Sequence, residues 1–260
     1  MRIILTILLV SMGLSVHAQT YTIIHTIGKI YESESGKYLS KGMRIDESAK
    51  LKFESEGAKA AVLSSSRGRF VIQKQESAGT KNEMSYALAS VLSPARGRLS
   101  TRAGGINNKL DFEKKFGEGP VAILGDTYKV AVSPTAYPMN DNKFFYASFS
   151  YKGEAINKKL SNEGDSLVID VTSFYSIDDN PIDPTATSNL QLFYYDAAGQ
   201  TSTPITQMEF VVINKGDIFY LMDNIGGANN AEKQKGVLEI ISALYGKCTD
   251  GDLKRALAQN

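Results

Sequence analysis

Apolar and polar residues alternate strictly through Ala49-Lys50-Leu51-Lys52-Phe53-Glu54-Ser55, with Leu51 and Phe53 on one side and Lys50, Lys52 and Glu54 on the other. A period of two marks a strand with one buried face. Residues 21–31, 58–64 and 69–74 carry similar runs, and Gly36, Gly42, Gly57 and Gly68 sit between or beside them as turn residues. Several short strands at close spacing predict a small β-roll or barrel over residues 19–76.

The alternation lapses over residues 77–119, which read as a connecting segment with short helices. One helix is expected over 84–92, ended by Pro94, and a second over 107–116, where Leu110 and Phe112 to Phe116 give an apolar side. Strand patterns return at 121–124, 128–132 and 143–151, the last with Phe145, Ala147, Phe149 and Tyr151 on one face. Further strands are expected at 166–171, 189–196 and 207–214, the last two flanking the turn Ala197-Ala198-Gly199-Gln200. Six or so strands with polar turns predict a β-sandwich-like domain over 120–228.

Residues 229–260 change period. Val237, Leu238, Ile240, Ile241, Leu244 and Tyr245 recur at the spacing of one helix face, and Gly246 is placed to stop that helix. Thr249 or Asp250 then caps a short last helix with Leu253 and Leu257 one turn apart. This helical pair is expected to pack on the second sheet. The fold class is therefore mainly β, an N-terminal roll or barrel followed by a sandwich-like domain with C-terminal helices.

The first 18 residues have the three parts of a secretory signal: Arg2, an apolar run from Ile3 to Leu14, and small residues at Val16 and Ala18. That run is shorter than the roughly 20 residues a bilayer span requires. No cysteine follows the expected cleavage point, so a lipid anchor is not expected, and no second run of spanning length follows. The protein is expected to be exported, periplasmic or secreted, with no membrane span after cleavage.

Cleavage removes Arg2 and no acid, leaving 29 − 1 = 28 basic residues against 28 acidic ones. A balanced chain has no global field to draw in nucleic acid or anionic lipid, so charge-based recognition needs a local cluster. Cys248 is the one cysteine, so an intrachain disulfide is impossible and only an intermolecular bridge is open to it.

The order His25-Thr-Ile-Gly-Lys-Ile-Tyr31, Leu39-Ser-Lys-Gly42, Ala49-Lys-Leu-Lys-Phe53, Ala60-Ala-Val62 and Gly68-Arg-Phe-Val-Ile72 resembles the β modules of FecR-type periplasmic proteins. The resemblance covers about the first third of the mature chain. It implies a non-enzymatic module acting in envelope signalling or assembly, although signalling members of that group carry a transmembrane helix. The short signal ending before Gln19 also resembles those of exported Bacteroidota proteins.

Arginine forms the informative cluster. Of seven arginines after the signal, five lie in two windows: Arg67 and Arg69 around Gly68, and Arg96, Arg98 and Arg102 in Pro94-Ala-Arg-Gly-Arg-Leu-Ser-Thr-Arg. Guanidinium forks bind carboxylates and phosphates through paired hydrogen bonds, which lysine does less well. These five are the expected partner-binding residues, with an acidic peptide, a carboxylate-bearing glycan or a phosphate as the recognised group. The competing reading makes them ion pairs whose stems cover strand ends.

Catalytic alternatives are thin. A cysteine nucleophile would need His25, the one histidine left after cleavage, and the His and Cys supply is too small for a usual zinc site. No Gly-x-Ser-x-Gly elbow and no phosphate loop is present. Asp178, Asp179 and Asp183 crowd one loop with Asn180, which fits carboxylate hydrolysis, a bound cation or plain turn chemistry beside Pro181 and Pro184. With no tryptophan, a sugar platform would use Tyr194 and Tyr195, of which one is expected to face the core. No catalytic residue, metal or cofactor is assigned. The expected function is an exported envelope binding or assembly protein, contacting an envelope or secreted partner through its arginine–glycine loops or terminal helices. The alternatives are a carboxylate-dependent hydrolase of envelope glycan or peptide and a structural subunit that pairs strands along an exposed edge.

Overall fold

The computed structural model describes residues 19–74, 86–88, 92–94 and 105–258. The expected signal, Arg96, Arg98 and Arg102 lie outside them. The chain divides into two compact units, Met1–Pro94 and Ala95–Asn260. It is mainly β, with several antiparallel sheets and C-terminal helices.

The described residues of the first unit form nine strands: β1 (Thr20–Ile27), β2 (Ile30–Glu32), β3 (Lys37–Tyr38), β4 (Arg44–Asp46), β5 (Lys50–Phe53), β6 (Lys59–Ser64), β7 (Gly68–Gln73), β8 (Tyr86–Ala87) and β9 (Leu92–Pro94). They form two sheets, ordered β4-β1-β6-β7-β9 and β3-β2-β5-β8. Both feed one core, in which Tyr21, Ile23, Ile30, Leu51, Ala60, Val62 and Ile72 are buried. The sheets are open, and no closed barrel forms among the described residues, so the roll and not the barrel describes this unit. A bulge at Ile24 shifts the register of β1 against β6, and the adjacent Ile23 and Ile24 are both buried.

The helix expected over 84–92 is corrected at both ends, because Tyr86–Ala87 pairs with β5 and Leu92–Pro94 pairs with β7. Cross-strand pairing outweighed local propensity at those residues, while Leu88 between them is helical and fully buried in the core of the first unit.

In the second unit a short helix, α1 (Lys109–Phe112), runs directly into a π-helical turn, Glu113–Gly117. Asn108 caps it by accepting the Asp111 amide at 3.1 Å. The strands are β10 (Val121–Leu124), β11 (Thr127–Ala131), β12 (Lys143–Tyr151), β13 (Glu154–Lys159), β14 (Ser161–Glu163), β15 (Ser166–Asp170), β16 (Ser176–Ile177), β17 (Asn180–Pro181), β18 (Thr187–Asp196), β19 (Thr201–Gln207) and β20 (Phe210–Ile213). Between β15 and β16 lies a single helical turn, α2 (Val171–Phe174). The main sheet is ordered β13-β12-β18-β19 and a second β11-β15-β14. Phe145, Ala147, Phe149, Leu192 and Ile205 meet Tyr128, Val130, Leu167 and Ile169 in one core with Phe112 and Phe116.

The turn at 197–200 joins β18 to Thr201–Gln207, not to 207–214 as the pattern suggested. The segment expected to close that hairpin instead supplies β20, which pairs in parallel with β10. Val-Ala-Ile-Leu and Phe-Val-Val-Ile are continuous apolar runs, the signature of parallel strands covered on both faces.

The helical end starts earlier than residue 229: α3 (Lys215–Asn224) precedes α4 (Asn230–Leu244) and α5 (Asp250–Ala258). Asn214 caps α3 through the Asp217 amide at 2.8 Å, and Asn229 caps α4 through the Glu232 amide at 2.9 Å. Between α4 and α5 the chain turns back beside β10, where Lys247 donates its amide to the Pro120 carbonyl at 2.8 Å and the Ala122 amide donates to the Lys247 carbonyl at 2.9 Å. Gly246, at φ +115°, lets the two backbones meet, since a Cβ there would lie 2.1 Å from the Pro120 oxygen. No helix among the described residues is long and apolar enough to cross a membrane.

Candidate functional site

The turn out of α4 and the π-helical turn after α1 leave a cleft of about 310 Å³ between them. Ile106, Lys115, Val121, Tyr128, Cys248 and Asp252 line it, with Lys114 and Lys247 at its side. Each wall follows from local sequence. Phe112 and Phe116 are both buried and their rings stack at 6.3 Å, so the turn carrying Lys114 and Lys115 is pinned to the core on either side. π-Helical turns are rare and cluster at functional sites. Here the Lys114 carbonyl accepts the Lys247 ammonium at 3.0 Å, tying the two walls together.

The opposite wall is the start of α5. Thr249 and Asp252 cap each other: Asp252 donates its amide to the Thr249 hydroxyl at 3.1 Å, and its carboxylate accepts the Thr249 amide at 2.9 Å and hydroxyl at 2.6 Å. Arg255 bonds the other Asp252 oxygen. Of the two residues proposed from sequence as the cap, Thr249 is the one that serves. Asp252 is buried, and its charge is fully occupied by these partners.

Besides the exposed Lys114 ammonium, two groups in the cleft are not occupied. The Lys115 ammonium stands 5.6 Å from the Tyr128 ring centre and has no ion-pair partner among the described residues. Burial pulls its proton affinity below that of an ordinary lysine, against the opposing pull of the Asp252 charge, and the Arg255 and Lys247 charges lower it further. Tyr128 is 3% exposed, lines the cleft, and its hydroxyl has no hydrogen-bond partner among the described residues. Burial raises its proton affinity well above that of a free phenol, so it is a neutral donor at physiological pH.

The sequence-selected residues are placed differently. Arg67 pairs with Glu47 at 3.0 Å on an open surface, as the competing ion-pair reading has it. Arg69 sits half-buried on β7 opposite Leu63, with Gly68 between the two arginines at φ +87°. Cys248 is buried against the Ser242 hydroxyl at 3.3 Å, and burial pushes its thiol up to about 12. It is therefore a protonated wall residue, closed to both a thiolate role and an intermolecular bridge. His25 lies in β1 of the other unit.

Asp178 and Asp179 form the two-residue loop between β16 and β17, both at positive φ (50° and 63°), the pattern a type I′ turn requires. Asp183 caps the turn Pro184–Ala186 by accepting the Thr185 amide at 2.8 Å, and those hydrogen bonds lower its proton affinity. Their crowding is turn chemistry. Tyr194 faces inward, packing on Phe145 at 4.9 Å and donating to the Pro138 carbonyl at 2.7 Å, whereas Tyr195 lies on the outer face beside Phe144. Both edges of that sheet are blunted, β19 by Pro204 and β13 by Lys158 and Lys159, which disfavours strand addition there.

Sequence reasoning missed Lys115, Tyr128 and Lys247. The one available signal was the pair Lys114-Lys115 enclosed between Phe112 and Phe116. No protein-family model, no curated protein and no solved structure matches the chain.

Proposed function

We propose that this chain is a non-catalytic, exported binding or assembly protein of the bacterial envelope that captures an acidic group of its partner on the terminal-helix side of its second unit. The observation that carries the reading is the cleft itself: its open groups are the Lys114 and Lys115 ammoniums and the Tyr128 phenol, while its buried acid is consumed by Thr249 and Arg255. Hydrolysis by carboxylates needs two acids converging on one bond. The acids singled out for that role, Asp178, Asp179 and Asp183, instead shape turns. Contact is the chemistry left to such a surface.

The test is capture of a partner from the native envelope by the wild-type protein, by Lys115→Met, and by the double variant Arg96→Glu with Arg98→Glu. Loss of capture in Lys115→Met at an unchanged melting temperature supports the cleft as the contact. Loss only in the arginine variant moves the contact to the arginine–glycine loops. Release of products from envelope glycan or peptide by the purified protein would overturn the reading.

A further inference from the structure

We propose that the cleft is a seat for one carboxylate group borne on an apolar stem, held by the Lys115 ammonium and the Tyr128 hydroxyl. The inference rests on the binding reading and names its ligand class.

Buried polar groups in folded proteins are nearly always paired, so an unpaired one lining a cavity points to what fills it. Tyr128 is such a group, and it lies beside a lysine without a counter-ion. Two donors lining one cleft suit the two oxygens of a carboxylate. Apart from the exposed Lys114 ammonium, the other polar side chains of the cleft are engaged. Lys247 bonds the Lys114 carbonyl and lies 3.8 Å from Glu118, and Asp111 accepts the Asn107 amide at 3.0 Å. The start of α5 is closed by its own Thr249–Asp252 cap and offers nothing to a ligand.

Charge decides between anions. Lys114, Lys115 and Lys247 line the cleft with Asp111 and Asp252, a formal balance of 3 − 2 = +1 that a singly charged carboxylate matches and a doubly charged phosphate exceeds. Ile106 and Val121 form the apolar part of the lining and suit a short hydrocarbon stem. A carboxylate of this kind arises on a free small acid or at the end of a peptide chain.

The experiment titrates the intact signal-cleaved protein, followed by amide NMR shifts of Lys115, Tyr128 and Thr249. Six probes are used: hexanoate, hexanamide, inorganic phosphate, and acetyl-dialanine with a free or an amidated end, with butyrate as a shorter acid. The free acids are expected to move those three amides, with the amides and phosphate weaker by about tenfold or more. Lys115→Met and Tyr128→Phe each weaken hexanoate by about tenfold, and Lys115→Arg restores part of it. Tighter binding of hexanoate assigns a free acid, and tighter binding of the free-ended peptide assigns a chain end; both support the seat. Equal binding of acids and their amides, preference for phosphate, or shifts confined to other residues would overturn it. Such a failure would leave partner capture untouched, whereas cleavage of the peptide would overturn the contact reading and leave the seat standing.

Discussion

Gly246→Ala tests how the cleft is held open. The added Cβ would lie 2.1 Å from the Pro120 oxygen, 2.7 Å from its carbonyl carbon and 2.9 Å from its Cγ. Side-chain carbons do not approach closer than 3.0 Å, so the backbone must retreat by 3.0 − 2.1 = 0.9 Å. That displacement stretches the Lys247-to-Pro120 and Ala122-to-Lys247 hydrogen bonds, now 2.8 and 2.9 Å, each contributing about 1 kcal/mol. A non-glycine residue in left-handed space costs about 1–2 kcal/mol more. The expected loss is therefore about 3–4 kcal/mol. Gly153→Ala is the control, because Gly153 also has positive φ (87°) but no atom within 4 Å, and only the conformational cost of about 1–2 kcal/mol applies. Urea unfolding gives the totals, and hydrogen exchange at Ala122 and Lys247 shows whether the loss is local to β10. Because Lys247 and Cys248 follow directly, the variant should also weaken ligand capture at the cleft. Equal destabilisation by the two substitutions would refute the close-approach argument.

Three further outcomes are expected. The Cys248 thiol is raised by burial from 9.0 to about 12, so the fold favours its protonated form; that stability is complete below about pH 9 and falls as pH rises toward 12. From pH 8 to pH 10 the loss is about 1.4 kcal/mol, and Cys248→Ala should flatten the pH dependence of the urea midpoint by that amount. Tyr21 is fully buried and its hydroxyl has no hydrogen-bond partner among the described residues, so Tyr21→Phe should stabilise the first unit by about 1 kcal/mol in a thermal melt; a loss would mean that the hydroxyl is satisfied. Asp179→Gly at φ +63° should raise stability by up to about 1 kcal/mol by suiting the type I′ turn, and a loss would show that the Asp179 carboxylate does more than turn the chain.

The residues that declared themselves in sequence did so because one face of one element decides them. Leu51 is buried while Lys50 is exposed, and Phe145, Ala147 and Phe149 alternate into the core, because a strand between core and solvent must alternate. The helix face of Val237, Leu238, Ile240, Ile241 and Leu244 is buried as its spacing requires. Thr201–Gln207 escaped because it is an edge strand of Thr, Ser and Pro, where the buried side needs only Ile205 and Thr206 and a proline is tolerated. The parallel β10–β20 pair escaped because apolar runs do not name their partners, and Gly216 in the first turn of α3 hid a helix that its Asn214 cap would have announced.

The cleft was out of reach for a different reason. Lys115, Tyr128 and Cys248 come from three separated segments, and no local period relates them. Arginine drew attention because it is scarce in this chain, yet scarcity measures composition and not availability. Arg67 already has its acid in Glu47, whereas Lys115 sits in a wall with its charge unanswered and a buried phenol beside it. A cation that is paired in the free protein must give up that pair before it can hold a ligand, and an exposed pair offers little in exchange. Lys115 keeps only the Tyr128 ring face and the pull of Asp252 in the free protein, so a ligand charge placed there displaces no ion pair. Among the cations that line the cleft, Lys115 is the half-buried one without an ion pair among the described residues, whereas Lys114 is exposed and Lys247 is bonded to the Lys114 carbonyl.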